Sequence, residues 1–324
     1  MTNPIKLIEQ CKYQEATKLL NTQIAEHSKK INELQTLLHI CAQGIGGEHK
    51  WDYYYLRPYA LGRKQLLVKI FNLKEWQNKA TLSNILVPAE EGLGDELLYT
   101  TYLHLLEKKA NIIYVECDPR LKPIFERSYN PNKFVFFERG MDNLKKYAPK
   151  CQYFILSSEL TYRLNPEFTP NLTQPLKCFK IEDNLFIDRN NINIGISHHT
   201  LPKKKTNLSN SWLDAVIQLF PDYLFINLQN DDLPCATRIG GVDLFENIEL
   251  LAALIDKMKT VITISNTIAH LAGRLHKKCL LITPMNCNTR WLMTDIKNYY
   301  PKTTHIRGDW DYVQKQIIKE LEKL

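Results

Sequence analysis

Two loop-to-helix turns, one in each half of the chain, constrain this sequence more than any other feature. Each follows an apolar run of strand character. The first reads Ile85-Leu86-Val87-Pro88-Ala89-Glu90-Glu91-Gly92-Leu93-Gly94-Asp95-Glu96, and the second reads Val261-Ile262-Thr263-Ile264-Ser265-Asn266-Thr267-Ile268-Ala269-His270-Leu271-Ala272-Gly273. A helix that opens where a buried strand ends directs its N–H groups into the crevice at the strand's carboxyl edge. Two such crevices facing one another form a cleft for a phosphate-bearing ligand.

The rest of the chain supplies the frame for such a cleft. Residues 4 to about 43 read as helix throughout, with Leu7, Ile8, Cys11, Ala16, Leu19, Leu20 and Ile24 on one stripe and Ile31, Leu34, Leu37, Leu38 and Ile40 on a second. The fragment from Tyr13 to Leu20 looks like one helix of a tetratricopeptide hairpin; a plain helical hairpin packed on the main body is the alternative. A further helix is expected from Gly62 to Leu73. After Leu82 the grammar changes to apolar runs alternating with helical patterns. Strands are expected over Asn84–Val87, Ile112–Val115, Phe134–Phe137 and Tyr153–Leu156, with helices from Asp95 to Lys109 and from near Pro119. A Pro- and Asn-rich stretch at 163–185 reads as a crossover. The alternation then restarts, with strands at Ile192–Ser197, Tyr223–Leu228, Val261–Ser265, Cys279–Thr283 and His305–Arg307. Helices fall at Ser211–Phe220, Asn247–Lys257 and Thr267–Leu275, and a last one is capped by Asp309. Alternation of this kind implies parallel sheets covered on both faces. The expected organisation is an N-terminal helical region over 1–80, a first Rossmann-like domain over 81–187 and a second over 188–324.

Bulk properties exclude several classes. The chain has 324 residues, 44% hydrophobic and 24% charged, with a formal net charge of +7. The positive charge is dispersed, with Lys203-Lys204-Lys205 its tightest cluster, and no basic stripe with interleaved aromatics suggests nucleic acid. Anionic small-molecule phosphates, or loose association with acidic membrane surfaces, suit the bias better. Eight cysteines lie scattered without Cys-x-x-Cys spacing, which fits a reducing compartment. Cys11, Cys41 and Cys279 sit in apolar runs and read as core. Met1-Thr2-Asn3-Pro4 leads straight into an amphipathic pattern, and no apolar run approaches the roughly 20 residues of a bilayer span. A cytoplasmic protein is expected.

Chemistry concentrates at three places. In the first turn, Gly92 and Gly94 are expected to allow a sharp bend and close ligand approach. Asp95 is either a cap at the helix start or a general base, and Glu90, Glu91, Asp95 and Glu96 crowd four carboxylates into one loop, which would raise their pKa values. In the second turn, Ser265, Asn266 and Thr267 are caps, with free N–H groups beyond them. His270 is either a donor to a phosphate or ribose oxygen or a core histidine. Gly273 is costly inside a helix and points to close packing on the sheet. The third place is the loop Ser197-His198-His199-Thr200-Leu201-Pro202-Lys203-Lys204-Lys205, whose lysines either neutralise a diphosphate or are simply solvated. The two histidines have no carboxylate at metal-ligand spacing, so no zinc site is expected.

The segments Glu90–Leu97 and Asn266–Gly273 resemble the two signature segments of glycosyltransferase family 9-like proteins, the lipopolysaccharide heptosyltransferases and their tetratricopeptide-linked relatives. Trp291-Leu292 and Gly308-Asp309-Trp310 resemble segments of the tetratricopeptide-linked group. The resemblance spans roughly residues 75 to 324. It implies a GT-B fold with the active site between two Rossmann-like domains, metal-independent transfer from a nucleotide-sugar without a cofactor, and a last helix that often crosses back to the first domain. It places Asp95 as the catalytic base. Gly94, Thr200, Lys205 (seven residues before Trp212), Asn266, Thr267, Ile268 and His270 then lie on the donor side. The family's second signature begins with an aspartate that contacts the transferred sugar, and this chain has Asn266 there, so a heptose is not assumed.

Three functions follow as expectations. The first is an inverting glycosyltransferase acting on a glycan or protein acceptor. The second is a catalytically degenerate GT-B-like body that binds a partner through its N-terminal helices. The third is a nucleotide-sugar epimerase, for which the second domain offers Asp243 and Glu246 as candidate carboxylates.

Overall fold

The apolar runs after residue 82 become parallel strands because each has helices to bury both of its faces. The computed structural model describes residues 4–10, 12–26, 41, 58–79, 81–165, 172–181, 192–200, 207–283, 291 and 296–324. The first sheet contains β1 (Lys74–Glu75), β2 (Ile85–Val87), β3 (Ile113–Cys117), β4 (Phe134–Glu138) and β5 (Tyr153–Phe154), in the order β1-β5-β2-β3-β4. The second contains β6 (Ile192–Ser197), β7 (Tyr223–Asn227), β8 (Thr237–Arg238), β9 (Thr260–Ile264), β10 (Cys279–Thr283) and β11 (Thr303–Arg307), in the order β11-β10-β9-β6-β7-β8. All pairings are parallel.

Both orders contain a switch point. In the first sheet the chain runs outward from β2 through β3 and β4, then returns to the other side of β2 as β5. In the second it runs outward from β6 through β7 and β8, then returns to the other side of β6 as β9. Loops leaving the carboxyl ends of strands at a switch point diverge and open a crevice. The turn after β2 and the turns after β6 and β9 are the three segments that the sequence singled out.

Alternation along the strands sends side chains to different cores. Ile262, Ile264, Leu280 and Ile282 face one cluster, shared with Leu213 and Val216 of the helix Asn210–Ile217 and with Val313, Ile317 and Leu321 of the end helix Trp310–Leu321. Val261, Cys279 and Leu281 face the other way, into a cluster that continues through the helices Ile248–Lys257 and Thr267–Arg274 to Ile85, Val87, Ile113 and Val115 of the first sheet. The two sheets therefore share one continuous apolar core along one wall. The buried face of the end helix packs on the second sheet. Its apolar positions repeat every four residues and match the outward-facing residues of β9, β10 and β11. Asp309 caps this helix, accepting from the Tyr312 N–H at 2.8 Å.

Several expected elements shift in ways the local chemistry explains. The helix expected over 95–109 is α-helical over Leu93–Tyr99 and tightens to 3₁₀ over Thr100–Lys108. The hydroxyls of Thr100 and Thr101 donate back to the carbonyls of Glu96 and Leu98 at 2.7 and 2.6 Å, competing with the regular ladder. The helix expected near Pro119 spans Lys122–Ser128, with Pro123 in its first turn. Helix Pro58–Phe71 and β1 belong with the first sheet, where Ala60, Leu67 and Leu73 pack against Leu86 and Phe154. At the N-terminus, where one continuous helix is expected, two helices, Pro4–Glu9 and Tyr13–Glu26, are described, joined through Leu7, Ala16 and Leu20. The second expected stripe, residues 31–40, lies outside the described residues, as does Cys11. Cys41 and Cys279 are fully buried, and burial pushes their thiols up to about 11 and about 12, as core residues require.

Candidate functional site

A cavity of about 660 Å³ opens where the three turns converge. Gly94, Asp95, Thr200, Asn266, Thr267, Ile268 and His270 all line it. Lys205 lies outside the described residues. Pockets of roughly 300–1,000 Å³ suit ligands of nucleotide size.

The first turn is built differently from the expectation. Neither Gly92 nor Gly94 needs a conformation reserved for glycine. The left-handed residue is Glu91, at φ 54°. Gly94 is required for space instead: a β-carbon there would lie 2.8 Å from Cδ2 of His270, across the boundary between the two halves. The four crowded carboxylates also separate. Glu90 is fully buried and accepts from the Ser158 N–H at 2.8 Å and the Ser157 hydroxyl at 3.2 Å. Glu91 accepts from the Tyr99 hydroxyl at 3.0 Å. Glu96 accepts from the Asp118 N–H and pairs with Arg139, while burial pushes its carboxyl up to about 7 against the pull of that arginine. Asp95 remains as the carboxylate of the loop that lines the cavity, and its Oδ2 accepts from the Gly92 N–H at 3.1 Å. It is thus both a cap and a cavity residue.

Arg139, at the end of β4, holds this loop in place. Its Nη1 and Nη2 donate to the carbonyls of Glu91 and Glu90 at 2.7 and 3.1 Å, while its Nε donates to Glu96. Sequence reading missed Arg139 because it lies more than forty positions downstream, in no recognisable motif.

The second turn is capped by Asn266, whose Oδ1 accepts from the N–H groups of Ile268 and Ala269 at 3.0 and 3.3 Å. That corrects the expectation of free N–H groups beyond the cap. The Asn266 side chain accepts from Ile268 and Ala269 and not from the Thr267 N–H. The Asn266 amide nitrogen donates to the Ser197 hydroxyl and to the His199 carbonyl, the latter at 3.3 Å. An aspartate could not donate to that carbonyl, which is a physical reason for asparagine here. His270 is buried, stacked on Trp291 with centroids 4.5 Å apart, and its Nδ1 lies 2.8 Å from the Tyr300 hydroxyl. Burial keeps the Tyr300 phenol protonated by raising its pKa well above the usual range. Gly273 makes room for this tyrosine, because a β-carbon there would meet the ring at 2.3 Å. The close packing expected from Gly273 exists, but its partner is Tyr300 rather than the sheet.

The third segment follows β6. Gln229 receives the N–H groups of His198 and His199 at 2.7 and 3.0 Å and donates back to the His199 carbonyl at 2.9 Å. The Thr200 hydroxyl is buried and has no hydrogen-bond partner among the described residues. The expectation that the histidines lack a carboxylate fails in three dimensions. Asp231, brought in by the loop after β7, places Oδ2 at 2.9 Å from His198 Nε2 and 3.1 Å from His199 Nδ1. Sequence spacing could not show this, since a parallel neighbour strand supplies the carboxylate. Burial holds His198 below the usual imidazole range despite that aspartate.

Asp243 also lines the cavity, but its Oδ1 is engaged by the Asn230 amide and the N–H groups of Phe245 and Glu246. These bonds hold its carboxyl below the usual range. It is a turn-forming aspartate. Glu246 is absent from the cavity lining and lies within ion-pair distance of Arg120. Across the boundary Arg127 grips Glu249 through two bonds of 2.9 and 2.6 Å, and the Arg120 guanidinium lies 4.7 Å from the centre of the Phe245 ring.

With this geometry in hand, solved structures share the fold. The family 9 glycosyl transferase from Veillonella parvula matches with a TM-score of 0.52 at 15% identity, covering 76% of this chain and 92% of that one. The E. coli ADP-heptose LPS heptosyltransferase II matches with a TM-score of 0.52 at 12% identity, covering 74% of this chain and 98% of that one. No protein-family model and no curated protein matches the sequence. At these identities the likeness establishes the fold, a GT-B-like pair of parallel-sheet domains, and it agrees with the resemblance carried by the two turns.

Proposed function

We propose that this chain is an inverting glycosyltransferase that moves a sugar from a nucleotide-sugar to a glycan or protein acceptor. The observation that carries the reading is the convergence of Asp95 from one switch point with Thr200, Thr267 and His270 from the other on one cavity. An acid–base group on one wall and anion-binding groups on the other are what displacement at an anomeric carbon needs. Asp95 takes the proton of an acceptor hydroxyl as its oxygen bonds to the anomeric carbon. The bond from that carbon to the diphosphate oxygen breaks on the opposite face, so the configuration inverts. The charge that gathers on the departing diphosphate is met by the Thr200 hydroxyl, the Thr267 N–H and the helix end behind it. Lys205, which follows Thr200 by five positions, is assigned to the same anion.

The printed name of one solved relative, an ADP-heptose heptosyltransferase, supports a nucleotide-sugar donor. Because Asn266 spends its amide on the cap and on the β6 loop, it gives no support for heptose as the sugar. Among the described residues no helix is long and apolar enough to cross a membrane, and the unpaired cysteines suit a reducing, cytoplasmic setting. Calorimetry with a panel of nucleoside diphosphates and nucleotide-sugars, followed by mass detection of the released nucleotide, tests the reading. A donor that binds and turns over is expected. A chain that binds none of them is a scaffold, and the second reading, a partner-binding body, replaces this one.

A further inference from the structure

We propose that His198, His199 and Asp231 bind a divalent first-row transition cation at the edge of the cleft. Two imidazole nitrogens and one carboxylate oxygen form a donor set suited to zinc, iron or cobalt. Their ligand atoms all lie within 4.8 Å of one another, with His198 Nε2 and His199 Nδ1 at 2.9 and 3.1 Å from the same Asp231 oxygen. Ligands bound at roughly 2.0–2.2 Å to one ion stand about 3–3.5 Å apart, so the trio is already near coordination spacing.

A hydrogen-bonded trio explains the arrangement less well. His199 Nδ1 and Asp231 Oδ1 are both buried and have no hydrogen-bond partner among the described residues. His199 Nδ1 is close to the carboxylate yet makes no directed hydrogen bond to it. Buried polar atoms left in this state need a reason. A cation at the convergence point engages His199 Nδ1 and the Asp231 carboxylate together.

The backbone that carries the three ligands is held in place by a small side-chain network. Gln229 accepts from the backbone N–H groups of His198 and His199 and donates to the His199 carbonyl, to which Asn266 also donates. Asn227 donates to the Asp231 carbonyl at 2.7 Å and accepts from the Gln229 N–H at 3.0 Å. One small network thus fixes the loops after β6 and β7 relative to each other. His199 and Asp231 line the cavity, so the remaining coordination positions open toward it. The outer contact rests on the transferase reading: a diphosphate oxygen of the donor completes the shell.

The full chain, stripped with a chelator and dialysed, is titrated with Co²⁺ and separately with Zn²⁺ by calorimetry and visible absorption. One equivalent is expected to bind, with the visible bands of nitrogen- and oxygen-bound Co²⁺. His199→Ala and Asp231→Asn each weaken binding at least ~10-fold, and Zn²⁺ raises the melting temperature of the parent chain but not of these variants. If the stripped parent binds neither ion, or both variants bind as tightly as the parent, the site is refuted. Inorganic pyrophosphate, titrated into stripped and metal-loaded protein, separates the two levels. Tighter binding to the loaded form supports the completed shell. Equal binding to both forms overturns the metal's role toward diphosphate and leaves the transferase reading intact.

Discussion

A matched pair of Gly→Ala substitutions tests whether the site is organised through Tyr300. Gly273 and Gly62 are both helical glycines, in Thr267–Arg274 and Pro58–Phe71. In a helix interior, replacing glycine by alanine gains about 1 kcal/mol from backbone entropy alone. At Gly62 a β-carbon meets nothing within 4 Å, so the gain stands. At Gly273 it meets three Tyr300 ring atoms at 2.3, 2.6 and 2.7 Å, and that tyrosine is fully buried. Overpacking of this kind costs about 1–3 kcal/mol. Displacing the ring also breaks the 2.8 Å contact with His270, at about 1 kcal/mol more. The net expectation is stabilisation by up to ~1 kcal/mol for Gly62→Ala and destabilisation by about 1–3 kcal/mol for Gly273→Ala. Equilibrium urea denaturation reads both. The fluorescence of Trp291, stacked on His270, should change in the native baseline of Gly273→Ala and not of Gly62→Ala. A Gly273→Ala protein as stable as the parent, with unchanged Trp291 emission, refutes the packing chain from Gly273 through Tyr300 to His270.

Three other outcomes follow from the geometry. Arg139→Ala leaves Glu96, whose side chain is 2% exposed, without its cation and frees the Glu90 and Glu91 carbonyls; a loss of about 3 kcal/mol in urea denaturation is expected, and a loss under 0.5 kcal/mol contradicts the clamp. Asn266→Asp removes the donor to the His199 carbonyl and should destabilise by about 1–3 kcal/mol while weakening nucleoside diphosphate binding in calorimetry; an unchanged or raised melting temperature speaks against the assigned tie. Burial lowers His305 from the usual 6.5 to about 4. Between those values the unfolded chain binds a proton that the folded chain excludes, so this contribution is intact above pH 6.5 and is lost as pH falls toward 4. His305→Gln should flatten the acid limb of stability by up to about 1.4 kcal/mol per pH unit, measured by urea denaturation across that range, and an identical slope counts against it.

What could be read from the sequence is what local pattern determines. Strands such as Ile192–Ser197 and Cys279–Thr283 emerge with their expected bounds because their apolar runs are short and punctuated. Asp309 is legible as a cap because capping is a contact within one turn. The two turns are legible as cavity walls because crossover topology sends strand ends to one edge. What was hidden depends on partners far along the chain. Glycine at 94 looks like a hinge, yet its reason is His270, and glycine at 273 answers to Tyr300. The four acids of the first loop look like one cluster, but each is drawn to a different partner. Asp231 joins the histidine pair only because β7 lies beside β6. The two-residue strands β1 and β8 escape detection because they are too short to show a period.

Asp95 is the base of the proposed transfer. The direct test is turnover and donor affinity of Asp95→Asn beside the parent chain, with the donor found in the calorimetric panel. The substitution preserves size and lets the side-chain oxygen still accept from the Gly92 N–H, so the loop should keep its shape. The expected result is a fall in kcat of about 10²–10⁴-fold with donor Kd changed by no more than about threefold. Undiminished turnover in the variant contradicts the mechanism and removes Asp95 from it.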